Sequence, residues 1–218
     1  MSVALVAMVK NYFYNRKQPR KLARIYSKPK NLSTIRNQII SESDLIKGCL
    51  AGERRMQEEL YRRFSPRMYG VCLRYAGNVE EAEDILQEGF IKVYKKLNSY
   101  RGEGSFEGWI RRIFVNTAIE HFRRKTYQQP ITEQQENTVE GKYLSVLDNL
   151  AEKDIMKLIQ ELSPGYRTVF NLYVVEGYTH KEIGDLLSIS EGTSKSQLSR
   201  AKVILQDMVK KYLEERNR

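Results

Sequence analysis

The sequence predicts an all-α fold in two small helical domains, and three observations carry that prediction. Apolar residues recur at three- and four-residue steps through eight segments, four between about 43 and 126 and four between about 149 and 214. Strand-like alternation never lasts more than a few residues, and 13 Gly with 5 Pro are too few for the many tight turns of a β-sandwich or barrel. Between the two groups of helices lies TYQQPITEQQENTVEGKY, rich in Gln, Glu and Thr and holding Pro130 and Gly141, which is linker composition. The expected organisation is a leader over 1–40, a helical domain over 41–126, a flexible linker over 127–148 and a second helical domain over 149–214.

In the first domain, Ser43 is expected to cap a short helix carrying Leu45, Ile46, Cys49 and Leu50. The second helix carries Met56, Leu60, Phe64, Met68, Val71, Cys72 and Tyr75, and Pro66 inside it predicts a kink or break near Ser65. Asn78 followed three residues later by Glu81 is a capping-box signal for a third helix, whose apolar face is Ala82, Ile85, Leu86, Phe90, Val93, Tyr94 and Leu97. After the loop NSYRGEG, Ser105 can cap a fourth helix with core residues Phe106, Ile110, Ile113, Phe114, Thr117, Ala118, His121 and Phe122.

The second domain opens with an amphipathic helix over 149–162 carrying Leu150, Ile155, Leu158, Ile159 and Leu162. Ser163-Pro164 begins the next helix, with Tyr166, Val169, Phe170, Tyr173 and Val174 inward and Gly177 at its end. Thr179 and Glu182 form a capping box for HKEIGDLL, and Ser190 caps a long final helix. Two helices joined by a three- to four-residue turn have helix-turn-helix geometry, in which the second helix enters the DNA major groove.

Composition and charge bound the function classes. The 218 residues include 37 Lys+Arg and 27 Asp+Glu, a net charge of +10, with 41% hydrophobic residues, an ordinary globular balance. Residues 1–40 hold nine basic residues and no acid, so the other 178 hold 28 basic and 27 acidic ones. The excess is a property of the leader, which attracts phosphates of nucleic acid or anionic lipid without reading sequence. Its composition predicts a disordered leader, which a start codon assigned upstream of the true one would explain, in preference to a specific binding arm. The apolar start MSVALVAMV is nine residues long with no preceding basic residue, so no signal peptide is expected. No stretch approaches the roughly 20 apolar residues of a membrane helix. Two Cys and two His, at 49, 72, 121 and 180, lack the close paired spacing of a usual four-ligand zinc module, and Cys49 and Cys72 read as buried thiols.

Three surfaces ask for a partner. On the back of the third helix, Glu80, Asp84, Gln87, Glu88, Ile91 and Lys95 share one face. It reads either as a solvated face with one stray apolar residue or as a dock for a basic helix. On the fourth helix, Trp109, Arg112, Asn116, Ile119 and Arg123 form a stripe off the core face. Trp beside Arg and Asn suits single-stranded nucleic acid, by stacking, a phosphate contact and an amide to a base edge. A core-edge Trp beside a solvated basic face is the competing reading. The preceding loop, with Tyr100, Arg101, Gly102 and Gly104, can form a flexible pocket for an everted base or be a simple connection. On the last helix, Leu198, Ala201, Leu205 and Met208 face inward, while Thr193, Lys195, Ser196, Ser199, Arg200 and Lys202 are polar with no acid from Gly192 to Gln206. Arg200 is the candidate for a bidentate guanine contact, and Lys195, Ser196 and Lys202 for phosphate contacts.

In order, EEAEDILQEGFIKVYKKL, SFEGWIRRIFVNTAIEHFRRK and LSPGYRTVFNLYVVEGYTHKEIGDLLSISEGTSKSQLSRAK resemble the bacterial extracytoplasmic-function (group 4) RNA polymerase sigma factors, over about 43–126 and 149–213. The resemblance implies that Asp84, Gln87, Glu88 and Ile91 dock on the clamp helices of core polymerase. It implies that Tyr100, Arg101, Trp109, Arg112, Asn116, Ile119 and Arg123 recognise and melt the −10 promoter element. Lys195, Ser196, Ser199, Arg200 and Lys202 would read the −35 element, the other side of that domain would meet the polymerase flap, and the linker would run through the polymerase channels. It further implies a cytoplasmic protein with no catalysis, cofactor, membrane insertion or homo-oligomer. An anti-sigma factor, often present in the family, would sequester it, in some cases at the membrane. Ser194 stands where Val is usual and Gln197 where Arg is usual; both lie on the recognition helix and bear on −35 preference.

Two other classes stay in view. A conventional helix-turn-helix regulator binding duplex DNA as a dimer explains the second domain but leaves the Trp109 stripe idle. An enzyme acting on nucleic acid is disfavoured: His121 falls on a core face, His180 in the first turn of a helix, and neither paired carboxylates beyond Glu80–Asp84 nor a glycine-rich phosphate loop is present.

Overall fold

The computed structural model describes residues 40–128 and 152–216. The leader expected over 1–40, apart from Ile40, lies outside the described residues, as does the linker beyond Gln128. Among the described residues all regular structure is helical: α1 (Glu42–Leu50), α2 (Arg54–Tyr75), α3 (Val79–Lys96) with a 3₁₀ turn (Leu97–Ser99), α4 (Phe106–Gln128), α5 (Glu152–Glu161), α6 (Pro164–Phe170) continued by a π-helical segment (Asn171–Glu176), α7 (His180–Leu187) and α8 (Glu191–Arg216). The four-plus-four pattern read from apolar spacing is therefore present. Two compact units divide these residues, 40–72 with 83–117, and 73–82 with 118–128 and 152–216.

The first unit is built on aromatic packing. Phe90 meets Phe114 edge-on at 5.2 Å, and Phe64 meets Phe106 edge-on at 5.5 Å. A Cβ at Gly89 would lie 2.3 Å from the Phe114 ring, so only glycine lets α3 and α4 come this close. Cys49 and Cys72 are buried thiols not joined in a disulfide, as the apolar spacing implied. Two local expectations are corrected. Of the kink or break expected near Ser65, the break does not occur, and α2 runs as one helix through Pro66. Phe64 and Met68 flank the proline and are buried, and their packing offsets the ~3 kcal/mol an interior proline costs a helix. The cap of α1 is Ser41 rather than Ser43: its Oγ accepts from the Asp44 backbone N–H at 3.0 Å and donates to the Asp44 carboxylate at 2.7 Å. Either serine could cap, and the Ser41 hydroxyl is held twice by Asp44, by its backbone N–H and by its carboxylate.

The second unit joins apolar layers to a polar core. Ile155, Leu158, Ile159, Leu162, Val169, Phe170, Ile183, Leu187, Leu198, Ala201 and Leu205 are buried. Arg74, at the end of α2, pairs with Glu176 at 3.2 Å, both nearly without exposed surface. The carbonyls of Leu73 and Arg74, left without helical partners by the end of α2, accept from Gln160 Nε2 (3.1 Å) and Asn171 Nδ2 (2.7 Å). Asn171 Nδ2 also donates to the Arg167 carbonyl four residues back. Asn78 Oδ1 accepts from the Glu81 N–H, while the Glu81 carboxylate reaches back to the Gly77 N–H and not to its cap residue. Burial alone would push Glu81 up, but the Gly77 bond, Lys125 and His121 together hold it below the ordinary carboxylate range.

Candidate polymerase and nucleic-acid interfaces

The outer face of α3 follows from its period. Ala82, Ile85, Phe90 and Val93 turn inward. Asp84 and Gln87 are thereby exposed, Glu88 is half-buried, and Ile91 keeps 53% of its surface in solvent. Glu88 pairs with Lys92 one turn on, at 3.0 Å. The four residues proposed from sequence thus share one accessible acidic face with an apolar centre.

The loop before α4 is fastened by a side-chain hydrogen bond. Tyr100 Oη donates to the Gly104 carbonyl at 2.9 Å, closing residues 100–104 into a ring. Gly102 and Gly104 take φ of +77° and +80°, which L side chains resist, and a Cβ at either would meet nothing within 4 Å. The Tyr100 ring leans on Phe106 (5.0 Å) and on Trp109 (5.5 Å), and Phe106 stacks on Trp109 at 5.8 Å. Ser105 caps α4 by accepting from the Gly108 N–H, as expected, and so starts the helix that carries the stripe.

Along α4, Trp109 is half-buried, and Arg112, Asn116 and Arg123 are exposed. Ile119 is corrected: it is 3% exposed and cannot contact a strand. Val115, one turn earlier on the same side, is buried too, so α4 is covered on a second side and the stripe narrows. Apolar spacing gave a single core face and could not show a second.

The helix-turn-helix is α7, the turn Ser188–Ser190 and α8. Thr179 and Glu182 form the expected capping box, and Ser190 Oγ accepts from the Thr193 N–H. Gly184 permits the turn, since a Cβ there would lie 2.8 Å from the Ile189 carbonyl oxygen, and the Ile189 N–H bonds back to the Gly184 carbonyl. Ser188 takes φ of 57°, a left-handed conformation at a position with no glycine. On α8, Lys195, Ser196 and Ser199 are exposed and Arg200 is half-buried. Lys195 pairs with Glu191 at 2.6 Å.

Lys202 is half-buried, as Arg200 is: its ammonium sits 5.7 Å from the centre of the Tyr173 ring, and burial pulls it below the ordinary lysine range. Ser194, singled out for its bearing on −35 preference, has no exposed surface and bonds His180. Gln197 lies beside Gly165 on the inward side. Sequence reasoning missed His180 and Tyr173 as partners of α8. The signal available was a polar Ser194 at an inward helical position, since a buried hydroxyl needs a partner. Among the described residues no three His, Cys, Asp or Glu side chains are grouped to hold a metal ion, and no helix is long and apolar enough to cross a membrane.

A helical first part followed by a helix-turn-helix is the architecture of a DNA-binding transcription protein. Residues 60–127 match Sigma-70 region 2, and residues 152–205 match Sigma-70, region 4. The chain is 26% identical over 186 residues to the RNA polymerase sigma-H factor of Pseudomonas aeruginosa, covering 80% of this chain and 96% of that protein. It is 29% identical over 178 residues to the ECF RNA polymerase sigma factor SigW of Bacillus subtilis, covering 76% and 95%. Among solved structures it is similar to the sigma factor RpoE in complex with the anti-sigma factor NepR from Bartonella quintana, with a TM-score of 0.43 and 20% identity over 70% of this chain and 96% of that one. The chain belongs to the sigma-70 family, in its extracytoplasmic-function group, whose members direct RNA polymerase to promoters.

Proposed function

We propose that the steps of initiation are divided among the three surfaces. Region 2, over 41–126, places Asp84, Gln87, Glu88 and Ile91 on the clamp helices of core polymerase. The fastened loop, with Arg101 at its exposed edge, and the stripe of Trp109, Arg112, Asn116 and Arg123 hold the unpaired strand of the −10 element. The linker over 127–148 joins these to region 4, over 149–214, where Lys195, Ser196, Ser199 and Arg200 read the −35 duplex and the opposite side meets the flap. The chain acts by binding, without catalysis of its own, in the cytoplasm, and an anti-sigma factor is the partner expected to restrain it.

The observation that carries this reading is the half-buried Trp109 with the exposed Arg112, Asn116 and Arg123, beside a loop fastened by Tyr100 and turned by two left-handed glycines. A dimeric regulator that binds only duplex DNA has no use for it. Stacking on an aromatic ring is worth about 1–3 kcal/mol per base, and only an unpaired base presents its face. The test is run-off transcription with core polymerase of the source organism on sheared genomic DNA, with the full chain and with residues 1–40 removed. Discrete transcripts with shared upstream motifs are expected from both. Failure to bind core polymerase and to yield transcripts would favour the duplex-binding regulator.

A further inference from the structure

His180 and Ser194 meet across the two helices of the helix-turn-helix. His180 opens α7, and its Nδ1 lies 2.9 Å from Oγ of Ser194 in the first turn of α8. Ser194 has no exposed surface, so its hydroxyl has no water to replace that bond. The imidazole lies nearly flat on the Tyr173 ring, with centroids 4.5 Å apart and planes 21° apart. Lys202 sits against the same ring at 5.7 Å. Four side chains therefore tie the π-helical segment, α7 and α8 together, and they grip α8 at two levels about two turns apart.

This linkage acts where small errors matter. Lys195 and Ser196 directly follow Ser194 in sequence, and Ser199 and Arg200 lie one to two turns further along α8. A rotation of α8 by about 10°, at a side-chain radius of about 5–6 Å, moves a polar tip by about 1 Å. That displacement is enough to lose a well-formed hydrogen bond to a base edge. The turn offers little slack, because Gly184 already packs against the Ile189 carbonyl.

We infer that His180 is a positioning residue for promoter recognition: held flat on Tyr173 and bonded to Ser194, it fixes the rotation of α8 and so decides which bases Lys195, Ser196, Ser199 and Arg200 reach. The inference rests on the reading of α8 as the −35 helix. It gives Ser194 a role distinct from base contact, since its effect on −35 preference passes through His180.

The experiment uses holoenzyme assembled from core polymerase and the full chain. The templates are a promoter recovered by the run-off assay and the same promoter with its −35 element scrambled. The readout is the ratio of open-complex formation on the two templates, with core affinity and the melting temperature of each variant measured alongside. Ser194→Val and His180→Phe each remove one partner of the bond, and His180→Phe keeps a ring on Tyr173. Each is expected to lower the ratio about tenfold. In the double variant both partners are apolar, so thermal stability should recover, because no polar group is left unpaired. The ratio should stay low, because the orienting bond is still absent. Recovery of the ratio together with the melting temperature would overturn the inference and leave the bond a purely structural one. An unchanged ratio in all variants would also overturn it. If the wild-type holoenzyme binds core normally but ignores the scrambling, the −35 reading of α8 fails, and the inference fails with it. Should a single variant not fold, the double variant still decides.

Discussion

Trp109 and Ile119 are ten residues apart on one helix, and the structure gives them opposite fates. Trp109 keeps part of its ring accessible beside Tyr100, while Ile119 is 3% exposed. Trp109→Ala should therefore weaken promoter opening by about 1–3 kcal/mol, the worth of one stacked base, with core affinity unchanged. Permanganate footprinting of unpaired thymines against core-binding titrations would measure both. Ile119→Ala should instead cost about 2–5 kcal/mol of folding stability, by leaving a cavity, and show little specific defect in opening once folded. A Trp109→Ala variant that opens promoters normally would remove the stripe from the mechanism. His180 supports a second prediction at this scale. Burial and Lys195 push its imidazole down, Glu191 pulls it back up, and Lys202 pushes it down again, with a net lowering. The unfolded chain then takes up the proton first as pH falls. Stability from this group is thus full above the unfolded value of about 6.5 and declines below it. The melting temperature should drop more between about pH 7.5 and about pH 5.5 in the wild-type chain than in His180→Phe, and equal drops would show that His180 does not contribute.

At the scale of elements, much was legible because helices announce themselves by period and by cap. The apolar steps in α3, the Ser105 cap of α4 and the Thr179–Glu182 box of α7 are local signals, and each depends on residues within one turn of its own position. What stayed hidden depends on residues distant in sequence. Pro66 reads as a break until the burial of Phe64 and Met68 is known. Ile119 reads as outward until α4 is seen to be covered on a second side. The place of Lys202 beside the Tyr173 ring depends on a residue 29 positions earlier in the chain. The candidate faces were legible to the degree that they are single-helix features: the shared exposure of Asp84, Gln87 and Ile91 needed only the helical period. The His180–Ser194 pair needed two helices in register, which no single-helix pattern encodes. Gly89 offers a test at this scale. Its missing side chain sets the approach of α3 to α4, since a Cβ would fall 2.3 Å from the Phe114 ring. Gly89→Ala should therefore destabilise by about 1–3 kcal/mol despite alanine's higher helix propensity, as overpacking outweighs the gain of about 1 kcal/mol. Chemical denaturation gives the sign directly, and a stabilised variant would mean that the two helices part without cost.

At the scale of the whole molecule, net charge and fold say little about mechanism, because the described part carries its charge in opposed patches. The acidic face of α3 suits a basic helix of a protein partner, whereas the α4 stripe and the exposed end of α8 suit nucleic acid. A chain whose surfaces differ this much in chemistry should fail at different steps when each surface is altered. Asp84→Arg with Gln87→Ala reverses charge on the α3 face and should weaken core binding first, leaving too little holoenzyme for any later step. Arg200→Ala leaves core binding intact and should weaken recognition of the −35 duplex by about 1–3 kcal/mol, an effect that vanishes on a template whose −35 element is scrambled. Trp109→Ala should pass both of these steps and stall before strand opening. Core titration, competition for closed complexes and permanganate reactivity, applied in parallel to the three variants, separate the steps. If all three stop at core binding, the surfaces act as one cooperative unit, and the assignment of separate tasks to α3, α4 and α8 is wrong.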